Sequence, residues 1–383
     1  MATVFDADVA VIGLGTMGSL TSWRLAAAGL KVLGFEQHGF AHDRGAAGGD
    51  TRRIATHSMG DAREVRLVQE SITLWRTLEA ETSTALLNLN GGLVIGPPDA
   101  PGLVNARNSA RSLDLPQQYF AAGSAQPRYP QHYIGAQHDV LLDPNAGYIR
   151  AQPAVLAALT AARHHGASLH DRTKVVRFDS DTDGVTLQLD GSQVRVRRTV
   201  VASGPWLSEL LPAYATKVQI RRVLQAWFLP HDITLFHPDV FPVYQRTGDT
   251  RIYGFPTIDG ATIKMGIVAP VPEVLQSASD LHQQIVPEQT DFFRKLVARY
   301  FPQVHPEPAR ISAYVEGYTK GMQGLFGPIA SMPNVIAMGG FSGTGFKFAP
   351  VFAEIAAQIA GAGSTSRNVD FLSPDRPLED WET

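Results

Sequence analysis

Residues 7–36 read ADVAVIGLGTMGSLTSWRLAAAGLKVLGFE, and this stretch decides the fold. An apolar run at 9–12 leads into Gly13, Gly15 and Gly18, spaced G-x-G-x-x-G. Leu20, Trp23, Leu25 and Ala26 then recur at helical spacing, and Gly29 stands near the end of that segment. A second apolar run at 31–35 closes on Glu36. Strand, glycine turn, helix, strand and acid in that order make a βαβ unit suited to a dinucleotide. Gly13 permits the tight turn, Gly15 lets backbone approach a pyrophosphate, and Gly18 lets helix and strand pack closely. The helix start offers free N–H groups and a positive dipole end to the phosphates. Glu36, 18 residues beyond Gly18, is placed to bind ribose hydroxyls and to repel a 2′-phosphate. NAD is the plain reading of this unit alone. The alternative is a glycine turn that only packs a βαβ corner.

At 383 residues the chain exceeds one comfortable hydrophobic core, so two domains or one elaborated domain are expected. Hydrophobic content of 44% with 18% charge excludes disordered and fibrous classes. The net charge of −3, without a Lys/Arg block, gives nucleic acid no footprint. No apolar run is long enough to span a bilayer, and Asp6 and Asp8 stand where a signal peptide would be basic. A cytoplasmic protein, monomeric or a small homo-oligomer, is the expectation. The chain has no cysteine, which removes disulfides, thiolate metal sites and cysteine nucleophiles. The histidines show no paired-ligand spacing, and no metal is expected.

Beyond Glu36, the polar and glycine-rich residues 37–53 are too long for an idle connection and are expected to cover a ligand. Residues 62–82 read as an amphipathic helix, and 91–96 as a short buried strand. Residues 98–145 show little periodicity and suggest a surface elaboration. An alanine-rich helix is expected at 151–165, a strand at 174–178, and an alternating hairpin at 185–197. The apolar strand from Thr199 breaks at Gly204 before a helix. This echo of strand, glycine and helix can return backbone amides to the first unit's ligand, or can be an ordinary corner. Residues 216–270 turn strand-rich and suggest an antiparallel substrate domain. If Asp259-Gly260 makes a two-residue hairpin turn, Lys264 lies opposite Phe255 and shares a face with Tyr253. The C-terminal GFSGTGFKF, 340–348, follows an apolar strand and precedes the apolar helix 351–359, returning the chain to the nucleotide domain.

The N-terminal unit, GDTRR at 49–53, Tyr253-Gly-Phe-Pro with Lys264, Tyr318-Thr319 and the loop 340–348 occur together in a recognisable order. The chain resembles the monomeric sarcosine oxidase and N-methyltryptophan oxidase family of flavin amine oxidases over essentially its whole length. The C-terminal GFSGxGFKF is far more specific than the glycine motif. The resemblance implies an α/β fold, with a Rossmann-type FAD-binding domain (1–90, 146–215 and 322–383) and an antiparallel-sheet substrate domain (91–145 and 216–321). It implies FAD in place of NAD, and oxidation of a secondary amine with O2 reduced to H2O2. A flavin amine dehydrogenase with another acceptor, or a flavin-binding protein without turnover, remains open. The cofactor set it implies comprises Gly13, Gly15, Thr16, Met17, Gly18, Glu36, Gln37, Thr51, Arg52, Val175, Ser203, Gly204, Trp206, Gly343, Gly345, Phe346 and Lys347.

Lys347 matches the lysine that helps hold the substrate carboxylate in that family. Lys264 matches the lysine that activates oxygen. A cation ~4 Å from developing superoxide supplies roughly 4 kcal/mol at an effective dielectric near 20. Tyr253 and Tyr318 match substrate-cavity tyrosines, Arg52 the arginine beside the flavin, and Arg53 reads as a surface or interdomain charge. Three positions depart from the family. Glu316 stands where a cysteine usually tethers FAD, so the cofactor is expected to be non-covalent. Ala55 stands where a second carboxylate-clamping arginine is usual, with only His57, a poorer fork, nearby. Val268 replaces a cavity histidine. A larger, more apolar or non-carboxylate amine is therefore expected in preference to sarcosine.

Overall fold

The computed structural model describes residues 4–56, 61–249, 251–268 and 273–381, so His57 lies outside the described residues. The opening stretch forms the strand Ala7–Ile12, the helix Thr16–Ala27 and the strand Val32–Phe35. Parallel pairing joins Ser168–His170, Val32–Phe35, Ala7–Ile12, Ser192–Val201 and Met332–Gly339 in that order. Short apolar strands with both faces covered are what a parallel sheet requires. Val9 and Val11 enter one core with the helices, while Ala10 and Ile12 enter a second core on the opposite face. On the helical side Thr16–Ala27 packs between Ala151–His164 and Ala349–Ala362. Antiparallel additions border this sheet: Val175–Ser180 with Val185–Leu189, and Leu325–Ile329 beside the last strand. Met332–Gly339 thus brings the C-terminal loop back beside the first glycine turn.

A second sheet runs Glu273–Leu275, Gln219–Pro230, Ile263–Ile267, Ile252–Phe255, Val243–Arg246, Gly92–Gly96, Asp139–Asp143 and Gln118–Phe120. The long strand Val304–Tyr318 pairs along Gln219–Pro230. The ladders are antiparallel except between Val243–Arg246 and Gly92–Gly96. A small third sheet, Thr51–Ile54 with Gly147–Arg150 and Leu87–Asn88, carries the GDTRR segment.

The helices at 62–82 and 151–165 form as expected, as Ala62–Thr82 and Ala151–His164. Three expectations need correction. Residues 98–145 are not only surface elaboration: they hold the helix Pro101–Ser112 and the buried strand Asp139–Asp143. That strand is buried on both sides, so period-2 alternation is missing from its sequence. The chain beyond Gly204 makes a 3-10 turn, Gly204–Trp206, only a four-residue helix, Leu207–Leu210, and a second 3-10 turn, Pro212–Tyr214. Phe255 does pair with Lys264, but not through a two-residue turn. Asp259 instead holds a wider turn, accepting hydrogen bonds from the amides of Ala261 and Thr262 and from the hydroxyls of Thr257 and Thr262.

Candidate active site

The carboxyl ends of the parallel strands open on a cavity of about 350 Å³, the site expected of ligands in open α/β sheets. Gly13, Gly15, Thr16 and Met17 line one wall. Gly13 has φ +87°, and a Cβ there would lie 2.8 Å from the Ala202 carbonyl oxygen. A Cβ on Gly18 would lie 1.7 Å from the Gly13 carbonyl oxygen, so Gly18 is a packing glycine behind the wall. Gly15 differs: no protein atom lies within 4 Å of its would-be Cβ, so the open space beside it belongs to a ligand. The hydroxyls of Thr16 and Ser203 are buried without a partner among the described residues. A phosphate fits such a place, since buried donors are otherwise costly.

Glu36 closes this end of the cavity. One carboxylate oxygen accepts from the Leu14 amide (2.9 Å), the other from the His38 amide (2.9 Å), and His42 Nε2 stands 3.3 Å away. Burial alone would raise its pKa, but His42 and the two amides outweigh it and hold the carboxyl below its ordinary range. The expected covering loop does line the cavity, through Gln37, Ala41, His42, Gly45, Ala46 and Ala47. Val175, Ser203, Gly204 and Trp206 form a further wall, and Gly343, Gly345 and Phe346 another. Arg52 reaches the cavity while donating to the carbonyls of Thr51 (2.8 Å), Ala46 (2.8 Å) and Gly48 (2.6 Å). Thr51, taken as a cofactor residue, is buried outside the lining. Its carbonyl has another use.

That use is Lys264. Its ammonium nitrogen donates to the Thr51 carbonyl (2.8 Å) and to the Gly49 carbonyl, and lies 4.2 Å from the centre of the Phe255 ring. The residue is 3% exposed, which excludes a solvated strand lysine. Burial, then the Arg52 charge, pushes its pKa well below the ordinary lysine value. Cross-strand partners share a face, and the register aligns one long row. Gln245 pairs with Tyr253 and Tyr253 with Gly266; Phe255 pairs with Lys264 and Lys264 with Trp227. Trp227 pairs with Arg310, Arg221 with Glu316 and Gln219 with Tyr318. The other face carries Ala226, Phe228, Tyr244, Ile252, Ile263 and Met265 in an apolar core. The Tyr253 ring lies over Gly266, where a Cβ would sit 2.2 Å from the ring. Burial pushes the Tyr253 hydroxyl up to about 12.

At the far end of the same face, Tyr318 donates to Glu316 Oε2 (2.8 Å). Glu316 and Gly317 line the cavity directly. Burial raises the Glu316 carboxyl, against the lowering effect of Arg52 and of the Tyr318 bond. Burial, then Glu316, raises the Tyr318 phenol. The pair holds a proton readily and gives it up reluctantly.

Lys347 and Arg53 correct the reading further. Lys347 is buried in the 3-10 turn Gly345–Phe348 and donates to the Thr344 carbonyl at 3.3 Å. It lies behind the cavity lining, and not facing water. Burial, then the Arg53 charge, lowers its pKa to about 7. Of the two readings of Arg53, surface or interdomain charge, the second fits: half-buried, it reaches from the third sheet to the second, donating to Gln245 Oε1 at 2.5 Å, and burial lowers its pKa to about 10. Ala55 packs in an apolar cluster with Tyr148, Val243, Tyr253 and Phe255.

Several residues of the site carry no local sequence signal. Gln225 is fully buried, with neither side-chain polar atom partnered among the described residues, against Gly49. Arg310 stacks on Trp227 at 3.7 Å and pairs with Asp50 at 3.1 Å, and its charge acts on Lys264. Only strand register brings these together.

The sequence pattern of the FAD-dependent oxidoreductases known as DAO matches residues 8–359. This chain belongs to that family. It is 30% identical to the monomeric sarcosine oxidase of Streptomyces avermitilis, over 96% of this chain and 97% of that one. It is 28% identical to the N-methyl-L-tryptophan oxidase of Salmonella dublin, over 94% and 95%. Among solved structures, NikD, an amino acid oxidase of nikkomycin biosynthesis, superposes with a TM-score of 0.87 over 99% of this chain and all of that one. At 23% identity that likeness speaks for the fold alone. The family's FAD fits the cradle described above: a glycine turn open at Gly15, two unpartnered hydroxyls, and an acid at the end of the second strand.

Proposed function

We propose that this protein oxidises the carbon–nitrogen bond of a secondary (N-alkyl) amine or amino acid, with O2 as electron acceptor and an imine that hydrolyses to a carbonyl. The observation that carries this reading is the single face of the second sheet. It sets Lys264, Tyr253, Glu316 and Tyr318 in one row whose Glu316 end opens on the FAD cavity. FAD supplies hydride acceptance and the onward transfer of electrons to oxygen.

Cofactor binding falls to residues 1–90, 146–215 and 322–383, and substrate binding to 91–145 and 216–321. Gly13, Gly15 and the start of Thr16–Ala27 hold the diphosphate, with Thr16 and Ser203 as donors. Glu36 holds the ribose. No cysteine exists to make a thioether, so FAD is held without that bond. Lys264 is locked to two carbonyls, which fixes its remaining N–H on the sheet face that carries Tyr253. In its protonated form it sets a positive charge there, which favours electron arrival on oxygen. Tyr253 and Tyr318 orient the amine, and the sheet's aromatic residues exclude water. We take the enzyme to work in the cytoplasm, alone or as a small homo-oligomer. No described helix is long and apolar enough to cross a membrane.

Two measurements test the reading. Anaerobic mixing of the purified yellow protein with a panel of N-methyl amines and amino acids should bleach the flavin absorbance with at least one of them. A panel without any bleaching argues for a binding protein. Lys264→Met, loaded with FAD and chemically reduced, should then react with O2 about 10²- to 10³-fold more slowly, as loss of roughly 4 kcal/mol implies. An unchanged oxygen rate would remove Lys264 from that role.

A further inference from the structure

The ladder between Gln219–Pro230 and Val304–Tyr318 sets Arg221 directly opposite Glu316. Antiparallel partners share a face with their Cβ atoms about 5 Å apart, and opposite charges so placed ordinarily attract one another. Here they do not meet. Arg221 makes no ion pair among the described residues, and the charge acting on it is that of Tyr318. Glu316 lines the cavity, and its Oε2 accepts from the Tyr318 hydroxyl.

What holds the arginine away is a sandwich of two rings. Its guanidinium lies 4.5 Å from the centre of the Tyr318 ring and 4.7 Å from that of Trp381, and its Nε donates to Gln219 Oε1 at 2.7 Å. A planar guanidinium stacks well on aromatic faces. Gln219 is the cross-strand partner of Tyr318, so these contacts draw Arg221 towards the end of the ladder and off Glu316.

Trp381 is brought there by its own bonds and those of the residues before it. Its amide donates to the Thr216 carbonyl at 3.1 Å and its indole N–H to the Tyr318 carbonyl at 3.2 Å. Asp380 pairs with Lys217 at 2.9 Å, and Lys217 also donates to the Leu378 carbonyl at 2.9 Å. Glu379 pairs with Lys320 at 3.2 Å. Exposed ion pairs add little stability, but these straddle both strands and fix where the indole lies.

The other groups that face Glu316 are Arg52 from the third sheet, Tyr253 from the middle of the second and Tyr318 on its own strand. The C-terminal loop beside it, at Gly343, carries no charge between Gly340 and Phe346. Arg52 spends its donors on three backbone carbonyls. Arg221 is therefore the cation whose place decides whether Glu316 is paired.

We propose that Trp381 is a positioning residue for the flavin end of the cavity: it holds Arg221 against Tyr318, withholds it from Glu316, and leaves that carboxyl without an ion pair. With ribose and diphosphate assigned to Glu36 and Gly15, the Glu316 wall falls to the flavin ring. An ion pair with Arg221 would set a fixed carboxylate there; without it the carboxyl can hold a proton. The inference rests on the family's FAD and on no choice of amine.

The test is the absorbance spectrum of the FAD-loaded protein followed against pH. Wild type should show a flavin band shift that is absent in Glu316→Gln, which assigns it to Glu316. Trp381→Ala frees Arg221 to pair. An opposite charge favours the ionised carboxyl, so the midpoint should fall by at least about one pH unit, with FAD content unchanged. Trp381→Phe keeps a ring for stacking and should stay within about half a unit of wild type. Trp381→Ala combined with Arg221→Gln should lose the fall. A midpoint unchanged or raised in Trp381→Ala would overturn the proposal. So would a fall that persists without Arg221, or a wild-type spectrum with no step that depends on Glu316. Should Trp381→Ala not retain FAD, Trp381→Leu, with apolar bulk and no π face, decides in its place. The expected shifts in a protein that no amine bleaches would leave this inference standing and sink the oxidase reading. Bleaching by an amine without the Trp381-dependent fall would do the reverse.

Discussion

Gly15 and Gly18 stand three residues apart in one motif, yet the structure gives them opposite duties, and alanine at each separates folding from cofactor binding. At Gly15 φ is −66°, which alanine adopts freely, and no protein atom lies within 4 Å of the added Cβ. Replacing glycine here removes unfolded-chain entropy worth about 0.4–1 kcal/mol, offset by the roughly 0.5–1 kcal/mol by which alanine is worse than glycine at a helix N-cap. The apoprotein should therefore unfold within roughly 0.5 kcal/mol of wild type, a shift of about 1–2 °C. The same methyl occupies the open space where a phosphate would approach the amides. Losing one charge-assisted hydrogen bond, about 1.5–3 kcal/mol, weakens FAD at least about tenfold. At Gly18 the Cβ falls 1.7 Å from the Gly13 carbonyl oxygen. Restoring van der Waals contact needs a helix displacement of about 1.5 Å, and overpacking of this kind costs typically about 1–3 kcal/mol or more. Gly18→Ala should lose stability already as apoprotein. FAD fluorescence titration and thermal unfolding of the stripped proteins measure both. Wild-type FAD affinity in Gly15→Ala would refute the placement of the phosphates. A stability loss as large as that of Gly18→Ala would make Gly15 a packing glycine instead.

Lys347 gives a pH signature with a definite sign. Its folded pKa of about 7 lies below the ordinary lysine value, so the folded state disfavours the proton. The penalty is complete below about pH 7, shrinks as pH rises towards the unfolded value, and vanishes above it. Lys347→Met should therefore raise the thermal midpoint of the apoprotein at pH 6 and leave it unchanged near pH 11; a uniform shift would contradict the assignment. Glu316→Cys places a thiol in the lining where the resembled family carries its tether. After acid precipitation, wild-type flavin should go to the supernatant and Glu316→Cys flavin should stay in the pellet. Colourless pellets from a yellow Glu316→Cys protein would show that Glu316 does not adjoin the attachment point.

How much of this was legible in the chain depended on the range of the interaction. The βαβ unit, the helix Ala62–Thr82 and the pairing of Phe255 with Lys264 follow from periodicities and turn residues close in sequence. Even there the turn chemistry was misread, because an aspartate that caps several amides makes a stable wide turn where Asp-Gly suggests a tight one. Asp139–Asp143 was missed because a strand buried on both faces lacks alternation. Arg53 was left between a surface and an interdomain reading for a different reason. A charged residue beside another charged residue looks solvated, and nothing local says that Gln245 waits 192 positions away. The same holds for Gln225 against Gly49, and for Arg310 over Trp227. Their meaning lies in register between strands distant in sequence.

The polar face of the second sheet argues for function on energetic grounds alone. Its reverse is an ordinary core of Phe228, Tyr244, Ile263 and Met265, sufficient to hold the strands. On the near side the fold buries Lys264, Glu316, Tyr253 and Tyr318 at the expense of their charged forms: burial pushes the lysine down, and the acid and phenols up. Apolar residues of similar volume in those places would be neutral or stabilising. Stability therefore does not explain the row, and its buried dipoles and charges are arranged for something that arrives from outside. A cofactor that changes charge as it accepts electrons, and an amine bound against it, would supply the missing partners. On that view, ligand-free protein is the strained state. Saturating FAD should then raise the unfolding midpoint, and a midpoint that does not move with FAD would refute this view.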